Sequence, residues 1–482
     1  MITSLCLIAL AIQAKTPVLV NGGFDDGLSG WKAEGDARVA DKILSFGEGK
    51  GAVRQKYIVS GLQVLFLTGT LKPSTKDGEI RLRLQCFDKK DHVLMDLTGG
   101  PGKDDVAAIY LKTQAHTAYV IVSIEKPKEG GSATADDVKL ADDGKGRVVH
   151  KPEIDLDVAM RPFWKGAKVT NESALLISNG GGTPTGRLLF KPSKILSVRD
   201  STLKQEFLEG KDFTIQGKTI IATKGTKMPV MSDAEFAKGQ YPWTELQGRH
   251  VFVTYEHKDV WNGPIPAYQG DHLSGTVSKL KAKKPLTVVA YGDSITLGIN
   301  VSGFRNVPPY LPPWPSLFSR HLGKVYGSKI TLYNTALGGM TSQWAKDNAH
   351  DAVATLRPDL VLLAFGMNDF WSLEPKYFID NIRATVETIR KVNPQCEFLL
   401  VGSMKFDPAY TTEEPYVGNL AGYPAELKKL IGKGIGLFDM TELSDALYKA
   451  KSQKDLATDP MHPDDFLARI YAQGAVAALV KS

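Results

Sequence analysis

Residues 286–298 read Leu-Thr-Val-Val-Ala-Tyr-Gly-Asp-Ser-Ile-Thr-Leu-Gly, an apolar run that stops at a glycine and passes straight into a serine-bearing turn. A short apolar run bounded by glycine predicts a strand buried on both faces, and the amphipathic pattern after it predicts a strand-to-helix turn. A serine in that turn, Ser294, sits at the carboxyl edge of a sheet, where open α/β folds place their ligands. The start of the helix offers free N–H groups to an anion. Taken alone, Gly292-Asp293-Ser294 reads equally well as a helix cap, with Ser or Asp satisfying the first-turn amides.

The rhythm around this turn repeats. Strands are predicted at 286–291, 330–333, 360–365, 397–401 and 436–438, with helical patterns at 314–322, 343–356, 376–392, 423–430 and 464–480. Strands buried on both faces and alternating with helices predict a three-layer α/β domain with a parallel sheet over 282–482. Two further strands end in groups of similar chemistry: Asn334 with Gly338, Gly339, Met340 and Thr341, and then Gly366, Met367, Asn368 and Asp369. A glycine N–H unblocked by a side chain and an Asn amide are the donors that a developing oxyanion needs. Near the C-terminus Asp459-Pro460-Met461-His462-Pro463 lets the Asp carboxylate reach His Nδ1, which fixes the tautomer and leaves Nε2 as a base. Pro463, Asp464 and Asp465 are also good first-turn residues, so the same stretch reads as a helix start.

These four elements, in this order and spacing, resemble the SGNH hydrolases, also called GDSL esterases and lipases, over roughly residue 286 to the C-terminus. The resemblance implies Ser294 as nucleophile, Asp459 and His462 as its acid–base partners, and an oxyanion hole made by the N–H groups of Ser294 and Gly339 and the side chain of Asn368. Ala336 stands where the family often has glycine, while the donor position Gly339 is intact. It further implies acyl transfer through an acyl-enzyme, with no cofactor and no metal; loss of one oxyanion donor costs on the order of 2.7–4 kcal/mol in barrier. The α/β-hydrolase elbow Gly-x-Ser-x-Gly is not met, because Thr296 takes the last glycine's place. The resemblance also implies a flat, open site that bulky or polymeric esters can reach.

Two loops are placed to shape the cleft. Residues 300–315 hold Tyr310, Trp314 and five prolines, which make stiff walls, and 405–423 follow the fourth strand. Tyr310, Trp314 and Trp371 are candidate substrate-binding residues, with Phe370 beside Trp371 as a second sugar platform; the alternative for each is structural packing.

Upstream, residues 18–144 show short runs of period two between Gly-, Asp- and Lys-rich turns, as in an antiparallel sandwich. Ile80, Leu82, Leu84 and Cys86 alternate with Arg81, Arg83 and Gln85. The ends of this segment, NGGFDDGLSGW at 21–31 and ADDVKL at 135–140, resemble those of jelly-roll carbohydrate-binding modules attached to secreted polysaccharide-degrading enzymes. The resemblance puts exposed aromatics such as Tyr57, Tyr110 or Tyr119 on sugar rings, whereas most strand aromatics are core or edge residues. Residues 147–281 form a second β-patterned stretch, with strands expected at 174–178, 187–190, 219–223 and 251–255, and no chemistry of its own. It is expected to be a second β-rich domain or a spacer packed on the catalytic domain. The fold class is thus multidomain: two N-terminal β-sandwich-like domains, 15–146 and 147–281, followed by the α/β domain.

Length and composition agree with that division. The chain has 482 residues, 43% of them apolar and 23% charged, which suggests two to four globular domains at roughly 100–200 residues each. Fifty-nine basic against 53 acidic residues give +6, scattered along the chain, so no nucleic-acid partner is indicated. The apolar run 5–12 is too short to span a bilayer and reads as the core of a signal peptide covering 1–14, with Ala14 as cleavage site; a buried N-terminal strand is the alternative. Export leaves Cys86 and Cys396, in different domains, so neither a disulfide nor a cysteine metal site is expected. The combined expectation is a secreted or periplasmic serine esterase that removes short acyl groups from acetylated polysaccharide or oligosaccharide. The alternatives are a lipase or lysophospholipase, for which no amphipathic lid segment is evident, and a carbohydrate-binding protein with an inert esterase domain. No membrane span is expected, and the sequence assigns no oligomeric state.

Overall fold

A computed structural model describes residues 19–59, 64–74, 78–101, 105–113, 117–142, 154–237, 245–305, 307–406 and 416–481. The 1–14 segment read as a signal peptide lies outside them. The chain divides into two compact units, Met1–Val149 and His150–Ser482.

In the first unit the period-two runs become β1 (Lys32–Ala40), β2 (Ile43–Ile58), β3 (Val64–Pro73), β4 (Arg81–Phe87), β5 (Val93–Gly99), β6 (Val106–Lys112), β7 (Tyr119–Lys126) and β8 (Ala133–Asp142). On β4, Leu82, Leu84 and Cys86 are fully buried while Arg81, Arg83 and Gln85 face the other way, as their alternation requires. The strands form one antiparallel sheet in the order β5-β4-β7-β2-β8-β3-β6, with β1 along β2, and not two separate sheets. The sheet turns at β2, whose 44–46 stretch pairs with β8 and whose 51–58 stretch pairs with β7. Gly47 lies at that turn, and a Cβ there would fall 2.3 Å from Asp36 Oδ2. The two stretches that resemble carbohydrate-binding modules meet at one corner: the Val138 N–H donates to Gly22 O at 2.9 Å, and the Trp31 indole N–H donates to Asn21 O at 3.1 Å. Of the three tyrosines, Tyr57 is half-buried, Tyr119 stacks on Phe87 at 4.9 Å with Lys56 Nζ 3.5 Å from its ring centre, and the Tyr110 side chain lies outside the described residues.

The second unit is built on five parallel strands, β9 (Leu286–Gly292), β10 (Ile330–Asn334), β11 (Leu360–Ala364), β12 (Glu397–Val401) and β13 (Ile435–Phe438), in the order β10-β9-β11-β12-β13. Each lies within one residue of its expected bounds. The helices α1 (Trp314–Tyr326), α2 (Ser342–Ala352), α3 (Pro375–Val392), α4 (Tyr416–Lys428), α5 (Met440–Ala450) and α6 (Asp465–Ala477) accompany them. The helix bounds depart further: α1 ends at Tyr326 against an expected 322, α2 at Ala352 against 356, α6 at Ala477 against 480, and α4 begins at Tyr416 against 423 and runs through Pro424. Helix α5 was not expected at all, although Asp439 caps it by accepting from Glu442 N at 3.0 Å.

Residues 154–257 supply two small sheets to this unit. One orders Glu206–Phe207, Pro192–Asp200, His250–His257 and Lys168–Leu175; the other includes Thr219–Ala222, Thr185–Arg187 and Ile177–Ser178. Val169, Phe190, Val253 and Tyr255 belong to the same buried cluster as Tyr291, Trp314 and Phe398. The described residues of the 147–281 stretch, expected as a second β-rich domain or a spacer, thus lie in one compact unit with the parallel sheet and share much of its core.

A Cβ on Gly474 of α6 would stand 2.1 Å from Phe438 Cζ of β13. Gly474→Ala is expected to lower stability by about 1–3 kcal/mol through overpacking, despite the better helix propensity of Ala, and urea unfolding of both proteins checks it.

Candidate active site

Strand β9 delivers Ser294 because its last residue has no side chain. A Cβ on Gly292 would lie 2.4 Å from both Ala364 O and Thr296 Oγ1, so only glycine lets the chain turn this close to β11. Asp293 then caps the short Ser294–Leu297 helix by accepting from Ile295 N at 3.0 Å, and Gly298 ends it with φ +89. Burial pushes the Asp293 carboxyl up to about 7.

Ser294 and His462 are both buried, and Ser294 Oγ lies 2.8 Å from His462 Nε2. His462 Nδ1 is 2.9 Å from each carboxylate oxygen of Asp459. Carboxylate oxygens only accept, so Nδ1 carries the hydrogen, and Nε2 accepts from the serine hydroxyl. Asp459 is held in place by accepting from Met461 N at 2.8 Å and His462 N at 3.0 Å. Its other oxygen, Oδ2, accepts from Asn300 Nδ2 at 2.8 Å.

Asn300 is a residue that sequence reasoning did not single out. Its amide also donates to Thr458 Oγ1 at 2.8 Å, and its carbonyl accepts from Arg305. It adopts φ +76, a conformation that Asn tolerates better than most residues. An Asn two residues after the Gly298 helix stop was the available signal, but nothing local pointed to a partner 159 residues away.

The expected oxyanion donors come from the next two loops. Gly339 has φ +79 with open space where a Cβ would be, so its backbone is free of side-chain cover. Asn368 is half-buried, and its Nδ2 donates to Met340 O at 3.0 Å, which fixes the amide against the Gly339 loop. Asn334 Nδ2 donates to Thr296 O at 2.9 Å and ties the second loop to the serine helix. Asp369, fully buried, accepts from Ser342 N at 2.8 Å and from the Ser342 hydroxyl; burial pushes its carboxyl up to about 6. Serine, histidine, aspartate and both further donor positions are thus gathered at one sheet edge.

The substrate-binding expectations divide. Trp314 is 1% exposed and stacks on Tyr471 at 5.9 Å, so it is a core residue of α1 and not a platform. Tyr310 is half-buried with φ +61 in the proline-rich loop. Trp371 is half-buried and packs on Phe370 at 4.3 Å and on Phe406 at 5.5 Å, beside a cavity of about 400 Å³ lined by Phe370, Phe406, Leu420 and Lys405. Much of the 405–423 loop, at 407–415, lies outside the described residues. Among the described residues no group of three or more His, Cys, Asp or Glu could hold a metal ion, and no helix is long and apolar enough to cross a membrane. Cys86 and Cys396 are buried free thiols in separate units.

A hydroxyl, an imidazole and a carboxylate in line, with N–H donors from neighbouring loops, define a serine-hydrolase type of site. Residues 290–469 match the model of the GDSL-like lipase/acylhydrolase family. Similar solved structures include the acetyl xylan esterase AlAXEase, with 22% identity over 40% of this chain and 100% of that one and a TM-score of 0.33. A two-domain esterase active on acetylated mannans is 18% identical over 42% of this chain and 52% of its own, with a TM-score of 0.35. A lipase from a goat rumen metagenome is 18% identical over 39% and 94%, with a TM-score of 0.32. No curated protein matches the chain.

Two predictions follow from this geometry. Asn300→Gly keeps the backbone conformation but leaves Asp459 Oδ2 without its donor; kcat on p-nitrophenyl acetate is expected to fall about tenfold with little change in KM, and unchanged kcat would refute the role. Asp293→Asn keeps the cap and removes a carboxyl whose folded pKa lies above its unfolded value. The stabilisation from its protonated form is present at low pH and lost as pH rises from about 4 to about 7, so the wild type should lose stability relative to the variant across that window in urea titrations.

Proposed function

We propose that the C-terminal unit is a serine esterase that removes acetyl or other short acyl groups from polysaccharide or oligosaccharide esters, working outside the cytoplasm. The observation that carries the esterase reading is the unbroken hydrogen-bonded path from Ser294 Oγ through His462 to Asp459, at 2.8 and 2.9 Å. His462 Nε2 takes the serine proton as Oγ attacks the ester carbonyl, and Asp459 stabilises the imidazolium that forms. The oxyanion is met by the N–H groups of Ser294 and Gly339 and by the Asn368 amide, and His462 returns the proton to the leaving alcohol. Water then enters with His462 again as base and releases the acid.

One feature supports a large alcohol. The Gly339 backbone beside the serine is uncovered, which suits a bulky ester approaching from solvent. The separate N-terminal β unit, with ends like those of carbohydrate-binding modules, and the apolar 5–12 run support an exported enzyme on a glycan. Glycan contact through Tyr119 would first have to displace Lys56 from its ring.

Acetate release from acetylated xylan, measured beside hydrolysis of p-nitrophenyl acetate and palmitate, tests the reading. The wild type is expected to release acetate and to prefer the short ester. Ser294→Ala should lower both activities on the order of a thousandfold or more. A preference for palmitate would overturn the short-acyl assignment, and equal rates for wild type and variant would overturn the nucleophile.

A further inference from the structure

The family match begins at residue 290, yet the turn that carries Asp459 and His462 is held from a strand some 280 residues before it. Strand Lys168–Leu175 is the edge of its four-stranded sheet and, among the described residues, has His250–His257 as its one ladder partner. An edge strand leaves a row of backbone N–H and C=O groups without ladder partners, and a buried edge must find others. Here they come from the catalytic segment. Leu175 N donates to Asp455 Oδ1 at 2.8 Å; Ser173 O accepts from Lys451 Nζ; Thr170 O and Asn171 O accept from Arg469 Nη2 at 2.6 and 2.9 Å.

Side chains of the β layer complete the clasp. Ser173 Oγ donates to Asp455 O at 2.7 Å, and His250 Nε2 lies 2.9 Å from Lys454 O. Lys451 and Glu172, both fully buried, pair at 2.7 Å, and Glu172 also accepts from Leu189 N at 2.8 Å and Tyr255 OH at 2.6 Å. Asp455 closes the Gln453–Asp455 turn, and the chain runs directly into the two-stranded hairpin Ala457–Asp459 and His462–Pro463. Gln453 Nε2 donates to Asp459 O at 3.1 Å, so anchor and acid belong to one short, cross-braced piece of chain.

We propose that Asp455 is a positioning residue, which fastens the acid–base hairpin to the edge of the β layer and thereby sets Asp459 and His462 at bonding distance from Ser294. This rests on the serine-esterase reading above. Asp455 touches no substrate, and its effect is transmitted through the hairpin. A displacement of about 1 Å in such a group costs about a hundredfold in rate, so a partly loosened anchor is visible in turnover before it is visible in substrate affinity.

The test compares Asp455→Ala, Asp455→Asn and Ser173→Ala in the full-length chain on p-nitrophenyl acetate, with Tm measured for each. Asp455→Ala is expected to lower kcat by roughly tenfold to a hundredfold, with KM within about twofold. The acid limb of its kcat/KM profile should move to lower pH, because a displaced Asp459 carboxylate favours the imidazolium less. Asp455→Asn keeps an oxygen for Leu175 N and should recover most of the rate. A folded Asp455→Ala protein with wild-type kcat and pH profile, whatever its Tm, overturns the inference. If that variant does not fold, Ser173→Ala decides: a severalfold lower kcat at unchanged KM supports the anchor, and wild-type kinetics refute it. An inactive wild type defeats the esterase reading and the inference together, whereas an active wild type with an indifferent Asp455 defeats the inference alone.

Discussion

A hydrogen bond of 2.8 Å between side chains 168 residues apart, Ser294 and His462, is the constraint on which the C-terminal unit turns. Neither residue carries the information for that distance. Ser294 is placed by the end of β9, and His462 by a hairpin that follows α5, so the separation is the sum of how the sheet, α6 and the β layer pack. Buried interiors are dense enough to hold such a sum to a few tenths of an ångström, and this is why so much of the core is continuous from Val169 to Leu479.

The loops at the carboxyl edge are fixed by carboxylates. Asp293 caps the serine helix, Asp369 holds the start of α2 through Ser342, Asp465 holds Ser302 at 2.6–2.8 Å, and Asp464 caps α6 by accepting from Leu467 N. Burial pushes all four carboxyls up, to about 7 for Asp293 and Asp464 and about 6 for Asp369 and Asp465. Each oxygen engaged by an N–H or hydroxyl offsets part of that desolvation cost. The arrangement gives rigid loops around the serine at some expense in stability near neutral pH, which is the usual exchange where a site must be preorganised.

What could be read from the sequence was what is local in it. Gly292-Asp293-Ser294 and Asp459-x-x-His462 each announce themselves within four residues, and five apolar strands stand out because parallel sheets bury both faces. The long-range partners were invisible for the same reason. Asn300 looks like one more loop residue until Asp459 is placed beside it, and Asp369 looks like an extension of the Asn368 motif until Ser342 arrives. Trp314 misled because an aromatic in a proline-rich loop after the nucleophile is placed to line a cleft; it begins α1, as the helical pattern expects, but is turned inward onto Tyr471.

The two β-patterned stretches show the limit of periodicity most clearly. Both read as alternating runs between turn signals, and the pattern left the second as either a domain or a spacer packed on its neighbour. Strands of the first unit run from seven to sixteen residues and join into one sheet that folds across β2, which brings its own apolar faces together. Several strands of the second stretch are two to four residues long and cannot bury a face by themselves. Ile177 and Met231 pack into a small cluster with Leu175 and Leu246, while many of the other apolar side chains of the stretch share the core of the parallel sheet, and the free edge of strand Lys168–Leu175 finds partners in Asp455, Lys451 and Arg469. Strand length bears on whether a sheet can be self-sufficient, and the described residues of 154–257, with their short strands, lie in one compact unit with the parallel sheet.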